Sequence, residues 1–307
     1  MSNVAVKRAK AKMEDITILI KTFERPTNLR RLLKSIFSYY PDVKVVIADD
    51  SQDPERNKRS IMELWPDKNI EYILLPYDIG VSEGRNRAWR RIKTMYFAVC
   101  DDDFVFDHRT NLPLMRQNLE EYEVDMVCGA CFEYGQKRNL SMFYMLLENI
   151  LGWLYDAGLH LSFLYRRIYC GKFEYDSTRK KLQVIKYDLT KSGKIFEADL
   201  APQFFLAKTS IRNRVMWRPE LKFAEHPIFF WDLKKAGFKV LLNTDVGVNH
   251  FRVMPLNYIR RRQEEKFLDE NRLLGMKIMN IEIFENEADR RIYKYKNGSF
   301  TKERMVV

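Results

Sequence analysis

The chain has 307 residues, 46% of them hydrophobic, and its 12 glycines and 10 prolines are spread along its length. This length and composition suit a large globular core and exclude fibrous and disordered classes. The formal net charge of +11 attracts anions: nucleic acid, an acidic membrane surface or phosphorylated small molecules. Charge alone selects none of these, and short basic clusters are also typical of a solvated surface. Because no zinc-finger or RNA-binding motif accompanies the charge, we do not expect nucleic acid as a partner.

The four cysteines indicate a reducing compartment. Cys128 and Cys131 lie in a segment (125–132) that is typical of a buried strand, where a spacing of three residues separates Cα atoms by about 10 Å. That distance is beyond the reach of a disulfide, and the sequence has no second ligand pair at zinc spacing. We therefore expect ordinary buried thiols.

Two segments bear on membrane association. Residues 1–12 are basic and lack the apolar run of a signal peptide. The most apolar stretch (140–165) contains Glu148, Asn149 and Asp156, which argues against a transmembrane helix. We expect a soluble, cytoplasmic protein that can contact an anionic membrane surface, for instance through a charged helix predicted from Leu256 onward.

The first half of the chain alternates short apolar runs with segments of helical periodicity. Buried strands are predicted at 16–20, 43–48, 70–75 and 96–100. Helices are predicted between them at 27–39, 55–64 and 82–93. This alternation is typical of an α/β fold with a parallel sheet and helices on both faces. Ligands of such folds bind beyond the carboxyl ends of the strands.

The second half is less regular. Its predicted elements are an apolar helix at 141–155, a strand at 181–190 in a hairpin around Ser192-Gly193, a strand at 204–207, a helix at 227–236 and extended segments at 240–243 and 246–250. No linker is visible between the halves, so we expect them to share one cleft.

Polar side chains follow each of the four early strands, and the last strand is followed by Asp101, Asp102 and Asp103. Three adjacent carboxylates repel one another unless they are solvated or neutralised. Mg²⁺ and Mn²⁺ prefer hard oxygen ligands and bridge phosphates, so an Asp-x-Asp motif suits a metal–diphosphate site. A solvated turn is the alternative, but four polar strand ends on one sheet edge favour the metal site.

Other strand ends carry candidates for nucleotide binding. Asp49 and Asp50 suit hydrogen bonds from a base or a ribose, or they cap the turn that follows. Arg85 lies near the start of a helix that follows a glycine-bearing loop, a setting that suits phosphate; a surface salt bridge is the alternative. The glycines match neither a dinucleotide-binding fingerprint nor a P-loop.

Four segments together resemble the GT-A glycosyltransferases. They are Ile-Lys-Thr-Phe-Glu-Arg-Pro (20–26), Val-Ile-Ala-Asp-Asp-Ser (46–51), Gly-x-x-x-Gly-Arg-Asn (80–86) and Cys-Asp-Asp-Asp-Phe-Val-Phe (100–106). The resemblance is strongest to the family 12 and family 2-like type that includes the β-1,4-N-acetylgalactosaminyltransferases of ganglioside synthesis. It continues through 204–209, 225–230 and 249–250.

The resemblance implies an α/β GT-A fold, Rossmann-like, with a mostly parallel sheet in one compact unit. A nucleotide-sugar-binding half (14–130) would abut a mixed acceptor-binding half (131–275), followed by a C-terminal tail (276–307). The implied reaction is a Mn²⁺- or Mg²⁺-dependent inverting transfer of a sugar from a UDP-sugar to a glycan or glycolipid acceptor. N-acetylgalactosamine is the implied sugar, with other hexoses and N-acetylhexosamines open. If an anchor precedes the chain, the implied location is the Golgi lumen.

The resemblance also implies roles for individual residues. Arg85 would meet the diphosphate, and Asp101 and Asp103 would bind the metal. His250 matches an additional metal ligand of related enzymes, with a structural role as the alternative. The implied nucleotide-binding residues are Thr22, Glu24, Arg25, Asp49, Asp50, Gly80, Asn86 and Asp102.

The catalytic base is left open. Many inverting GT-A enzymes place a Glu-Asp pair before an apolar helix, with the Asp as the base. Here the pair is Glu225-His226, so either residue takes the proton while the other orients the acceptor, and Asp232 is a third candidate. A charge that complements the helix dipole is the alternative role for Glu225.

Two other functional classes compete with a glycosyltransferase. A metal-dependent nucleotidyltransferase has a similar sheet but usually carries a glycine-rich loop after its first strand, where this chain has Lys-Thr-Phe-Glu-Arg-Pro. A non-catalytic glycan- or nucleotide-binding protein is the other class.

Overall fold

The computed structural model describes residues 13–134, 164–167, 169–189, 194–251, 258 and 264–305. The helices are α1 (Pro26–Tyr39), α2 (Pro54–Leu64), α3 (Val81–Arg91), α4 (Leu112–Glu121), α5 (His226–Lys235) and α6 (Glu265–Met279), with a short 3₁₀ helix at Thr209–Asn213. The strands are β1 (Ile16–Thr22), β2 (Lys44–Asp49), β3 (Ile70–Leu74), β4 (Tyr96–Asp101), β5 (Phe104–Val105), β6 (Met126–Tyr134), β7 (Leu164–Arg167), β8 (Gly171–Asp176), β9 (Lys181–Lys186), β10 (Ile195–Glu197), β11 (Phe205–Lys208), β12 (Val240–His250), β13 (Ile283–Asn286), β14 (Arg291–Lys296) and β15 (Ser299–Arg304).

The main sheet runs in the order β10-β12-β6-β11-β4-β1-β2-β3. In addition, β5 pairs with β12 and β7 pairs with β6. Strands β4, β1, β2 and β3 are mutually parallel. Strand β11 is antiparallel to both β4 and β6, whereas β12 is parallel to β6. The predicted α/β architecture with a mostly parallel sheet is therefore confirmed.

Alternate side chains of the buried strands face opposite sides of the main sheet, because successive strand residues point to opposite faces. On one face, Leu19 packs in a core with Trp89 of α3 and Phe229 of α5. On the other face, Ile18 and Ile20 pack in a core with residues of α1, α2 and α4. Helices on both faces bury the strands completely, which explains the nearly continuous apolar run of β1.

The second sheet has the order β15-β14-β13-β9-β8. Its strand β9 forms a hairpin with the preceding β8 and also pairs in parallel with β13. The prediction of a charged helix throughout the C-terminal segment is wrong, because α6 ends at Met279 and residues 283–304 contain three strands of this sheet. Along β15 the exposed residues Ser299, Thr301 and Glu303 alternate with the less exposed Phe300 and Lys302, and this period of two is that of a strand.

Several smaller predictions can be checked. The predicted extended segments at 240–243 and 246–250 form one strand, β12, with a register shift between Asn243 and Gly247. The hairpin predicted around Ser192-Gly193 is wrong for β9, whose hairpin partner is β8. All four cysteines are buried thiols, as predicted. The helix predicted at 141–155 lies outside the described residues, as do residues 1–12 and 259–263. In the part of the chain that the structure covers, no helix combines the length and apolarity needed to cross a bilayer. The division at 130 and 275 stays a prediction.

Candidate active site

The carboxyl ends of the parallel strands bring the predicted site residues to one edge of the main sheet. In the strand register, Thr22 lies opposite Asp49 of β2, and Lys21 lies opposite Asp101 of β4. Strand β5 pairs with the end of β12, so that Phe104 lies opposite His250. The chain therefore gathers the acidic triplet and the late histidine at the place where α/β folds bind ligands.

Asp49, the last residue of β2, and Asp50, which follows it, are fully buried, and both form hydrogen bonds or ion pairs with other groups of the protein. Asp49 accepts hydrogen bonds from the Ser51 amide at 2.9 Å and from the Tyr72 hydroxyl at 2.7 Å. Asp50 forms an ion pair with Lys21 and accepts a hydrogen bond from the amide of Gly80 at 3.0 Å. These contacts support the capping alternative for Asp49, and they give Asp50 and Gly80 a role in holding the loop before α3.

Asp102 and Asp103 share Arg25 as a partner. The Arg25 guanidinium donates to Asp103 Oδ2 at 2.7 Å and forms an ion pair with Asp102, while the hydroxyl of Thr22 donates to Asp102 Oδ2 at 2.7 Å. The Nε2 atom of His250 lies 3.2 Å from Asp103 Oδ2. One polar network at the sheet edge thus joins Thr22, Arg25, Asp102, Asp103 and His250.

Burial and charge act in opposite directions on the triplet. Burial raises the pKa of Asp102 to about 7, against the attraction of Arg25. Burial also acts to raise the pKa of Asp103, but Arg25 and His250 together outweigh it and leave that pKa well below its ordinary value. Burial raises the pKa of Asp101 in spite of Arg85. The carboxylate of Asp103 is therefore the one held firmly in its charged form.

Asp101, the first aspartate of the triplet, is bound by a different arginine from the one that binds Asp102 and Asp103. Arg85, only 3% exposed, donates to Asp101 Oδ1 and to Glu225 Oε1, both at 2.6 Å. Gln203 also reaches Glu225 Oε1, at 3.4 Å. The side-chain amide of Asn86, by contrast, binds the backbone of Trp217. Its Nδ2 atom donates to the Trp217 carbonyl at 2.7 Å, and its Oδ1 atom accepts from the Trp217 amide at 3.1 Å. Arg85 therefore joins β4 to the start of α5, and Asn86 holds the adjoining loop.

The predicted metal ligands offer donors that suit a hard divalent cation. Asp103 Oδ1 is buried and has no hydrogen-bond partner among the described residues. Asp101 and His250 both line one cavity, whose volume and position are given below. Carboxylate oxygens with one imidazole suit Mn²⁺ or Mg²⁺. Even so, within the ranges that the structure describes, no three His, Cys, Asp or Glu side chains are grouped as a ready-made ligand set. The residue types fit a cation, and the ligand set itself stays a prediction.

Of the three candidate bases, His226 is among the residues that line the cavity, whereas Glu225 and Asp232 are not. His226 lines the cavity, and its Nε2 atom donates to the carbonyl of Ala201 at 2.7 Å, which leaves Nδ1 as the acceptor of the neutral ring. Burial lowers the pKa of His226 to about 4. Glu225 is bound to Arg85, as described above. Asp232 forms an ion pair with Arg218 at 2.7 Å and does not line the cavity, so the geometry does not support it as the base.

The cavity has a volume of about 310 Å³ and lies between the edge of the main sheet, the start of α5 and the second sheet. Several of its residues escaped the sequence analysis, namely Glu133, Tyr169, Gln203, Asn286 and Asp289. Glu133 follows a buried run in β6, so the acid-at-a-strand-end signal applies to it as well; its Oε1 lies 3.5 Å from His250 Nδ1. The others lie in segments that carry no such signal.

A second, polar cavity of about 740 Å³ lies beside the ends of β1 and β2. It includes Glu24 and Ser51 rather than the acidic triplet. Glu24 has a left-handed backbone (φ 55°) and accepts a hydrogen bond from the Gln52 amide at 2.7 Å. Among the predicted nucleotide-binding residues, Glu24 lines this second cavity, and none of them is among the residues that line the first.

Residues 17–175, just over half of the chain, match the sequence profile described as Glycosyl transferase family 2. The chain belongs to glycosyl transferase family 2. It is 33% identical over 217 residues to beta-1,4 N-acetylgalactosaminyltransferase 2 of Mus musculus, an alignment covering 71% of this chain and 36% of that protein. It is 30% identical over 246 residues to beta-1,4 N-acetylgalactosaminyltransferase 1 of Homo sapiens, covering 80% and 40% of the two chains. This family 2 chain therefore spans less than half the length of these relatives.

Solved structures share the fold of this family 2 chain at low sequence identity. S. aureus TarS 1-349 in complex with UDP superposes with a TM-score of 0.51 and 16% identity, covering 90% of this chain and 68% of that one. GalNAc-T7 with UDP, GalNAc and Mn2+ superposes with a TM-score of 0.53 and 11% identity, covering 83% and 49%. These likenesses confirm the predicted GT-A fold.

Proposed function

We propose that this chain is a metal-dependent inverting glycosyltransferase that moves a sugar from a UDP-sugar to a glycan or glycolipid acceptor. Membership of family 2 supports sugar transfer. The alignments with two N-acetylgalactosaminyltransferases favour N-acetylgalactosamine as the transferred sugar. The neighbouring structures that contain UDP, one of them with Mn2+, support a UDP-linked donor and a divalent cation.

One observation carries the proposal: the buried guanidinium of Arg85 bridges Asp101 and Glu225 beside the cavity. A guanidinium held by two carboxylates is fixed in place and has further N–H donors for phosphate oxygens. Donors that are positioned in advance stabilise the negative charge that develops on a departing diphosphate. Arg85 would thus act on the leaving UDP from the side that faces α5.

The residues that would hold the cation are Asp101, Asp103 and His250. When bound, a Mn²⁺ or Mg²⁺ ion would neutralise the diphosphate and favour its departure. In this proposal Arg25 keeps Asp103 charged, and Thr22 fixes the orientation of Asp102 behind it.

The acceptor hydroxyl loses its proton as its oxygen bonds to the anomeric carbon and the bond from that carbon to UDP breaks. We assign this proton to Nδ1 of His226, because Nε2 already donates to the carbonyl of Ala201. A pKa of about 4 keeps the ring neutral and ready to accept at neutral pH. Glu225, bound to Arg85, then acts as a positioning residue for the guanidinium. Contact with an anionic membrane stays a prediction.

The test is product analysis with UDP-N-acetylgalactosamine, Mn²⁺ and a panel of methyl glycosides. We expect release of UDP together with a glycoside whose new linkage is inverted at the anomeric carbon. We expect the Asp103→Asn variant to stay folded and to lose this activity by about a hundredfold or more. Release of pyrophosphate would instead indicate a nucleotidyltransferase, and binding without any product would indicate a non-catalytic protein.

A further inference from the structure

The second sheet forms one wall of the cavity that Asp101 and His250 line from the main sheet. This C-terminal wall, defined here by Asn286, Asp289 and Tyr293 of β13, β14 and the turn between them, lies beyond the residues that match the family profile. Tyr169, just before β8, lines the same part of the cavity. Residues far apart in the chain therefore complete the cavity together.

The C-terminal wall is held in shape by its own hydrogen bonds. Asn286 is 1% exposed, and its side-chain amide donates to the hydroxyl of Tyr169 at 2.5 Å. The Asn286 side-chain oxygen accepts from the backbone amide of Asp289 at 3.1 Å. The Tyr169 ring lies 5.4 Å from the His226 ring, centroid to centroid. One buried amide thus fixes both the turn that carries Asp289 and an aromatic ring beside the candidate base.

Charge is unevenly distributed around the cavity. The donor diphosphate is strongly negative and fits the edge of the main sheet, where Arg25 and Arg85 lie behind the cavity lining and pair with the acidic triplet. A carboxylate such as Asp289 repels a diphosphate, but it accepts hydrogen bonds well from neutral hydroxyl groups. The aromatic ring of Tyr169, which is only partly buried, offers apolar surface to the C–H face of a sugar.

Arg272 of α6 also lines the cavity, but its guanidinium is paired with Asp269 at 2.7 Å. The C-terminal wall therefore keeps the Asp289 carboxylate without adding an unpaired cation, which suits a neutral sugar better than the donor nucleotide.

The size of the cavity limits what enters it. At about 310 Å³ it lies near the lower end of the range of roughly 300 to 1,000 Å³ for small-molecule sites. This volume suits a single terminal sugar more than an extended chain.

We propose that Asp289 is an acceptor-binding residue, whose carboxylate accepts hydrogen bonds from hydroxyl groups of a neutral terminal sugar that lies in the cavity against the edges of Tyr169 and His226. This assignment rests on the proposed function. It extends the acceptor site into the segment 276–307, which was predicted from the sequence to be a C-terminal tail. The acceptor sugar is thereby held next to the base that takes its proton.

The test compares Asp289→Asn with Glu285→Gln. Both changes remove one carboxylate charge from the same segment, but Glu285 pairs with Lys181 at 2.7 Å and does not line the cavity. The hydrogen bond from the Asp289 amide to Asn286 does not involve the altered side chain, so the turn keeps its support. For each variant, UDP release from UDP-N-acetylgalactosamine with Mn²⁺ is measured in water alone and with increasing concentrations of the methyl glycoside that gives the unaltered chain its highest rate.

For Asp289→Asn we expect the KM of the methyl glycoside to rise by roughly tenfold or more. The KM of UDP-N-acetylgalactosamine and the rate of its hydrolysis in water should not change, and Glu285→Gln should match the unaltered chain throughout. An unchanged glycoside KM in Asp289→Asn, or an equal rise in Glu285→Gln, would overturn the assignment. If the unaltered chain releases no UDP under any of these conditions, the proposed function fails first and this assignment fails with it.

Discussion

Replacing Arg85 with alanine tests how the two sides of the site are joined. Glu225 is 7% exposed, and without Arg85 its Oε1 atom would keep the side-chain amide of Gln203, at 3.4 Å, as a hydrogen-bond donor. Leaving a buried carboxylate without its cation costs about 3 to 5 kcal/mol. The Asp101 side chain is 31% exposed, so water replaces much of what it loses. We therefore expect Arg85→Ala to lower the free energy of unfolding by about 3 to 5 kcal/mol, mostly through Glu225.

The assay is denaturant unfolding of Arg85→Ala, Glu225→Gln and the double variant. In the double variant the uncompensated charge is gone, so we expect it to recover about 2 kcal/mol relative to Arg85→Ala. Arg218→Ala is the control, because Arg218 pairs with the similarly buried Asp232 at 2.7 Å, but its own side chain is 43% exposed and Asp232 keeps Lys235 at 3.3 Å when Arg218 is removed. A pair with so exposed a cation contributes less than about 1 kcal/mol.

Two results would refute this reasoning. The first is an Arg85→Ala variant no less stable than Arg218→Ala, because then burial does not set the value of the pair. The second is a double variant with the same stability as Arg85→Ala, because then the loss does not pass through Glu225.

The remaining predictions concern pH and backbone geometry. His226 has a pKa of about 4 when folded and an ordinary value of 6.5, so the unfolded chain binds the extra proton as pH falls from 6.5 towards 4, and folding stability falls with it. Denaturant unfolding at pH 7 and pH 4.5 should show His226→Gln losing less stability than the unaltered chain over this interval, by up to about 3 kcal/mol; an equal loss would contradict the lowered pKa. Gly80→Ala should lower Tm more than Gly237→Ala, because both glycines have positive φ but only at Gly80 would the new Cβ lie 2.7 Å from the Cα of Lys222. We expect about 1 to 3 kcal/mol of destabilisation at Gly80, and equal Tm shifts for the two variants would contradict this explanation.

Periodicity was sufficient to predict strands β1 to β4 and helices α1 to α3 from the sequence. The run Ile16–Ile20 is buried on both faces of the sheet, so its apolar residues are continuous and short, and the helices beside it carry their apolar residues at helical spacing. Helix α4 was missed, although Asn111 and Pro113 mark its start; the Asn111 side chain accepts from the Leu114 amide. The C-terminal strands were missed because their many charged residues obscure a weak alternation.

The candidate site was predictable in outline but not in its pairings. The carboxyl-edge rule placed Asp101 and Asp103 at the sheet edge, since it depends only on strand order and direction, and the family resemblance added His250. Which cation neutralises which acid depends on side-chain rotamers and on burial, and no spacing in the sequence reports that Arg25 serves two aspartates while Arg85 serves a third. The hydrogen bond between Tyr169 and Asn286 joins residues that are 117 positions apart in the sequence, so no local sequence pattern indicates it.

The most direct test of a cation-assisted site for a sugar-linked diphosphate is the thermal stability of the chain with UDP-N-acetylgalactosamine. We predict that Tm rises with the sugar nucleotide when Mn²⁺ is present, that the rise disappears when a chelator is added, and that Asp103→Asn shows no rise. An equal rise with and without Mn²⁺, or no rise in the unaltered chain at saturating nucleotide, would contradict the account.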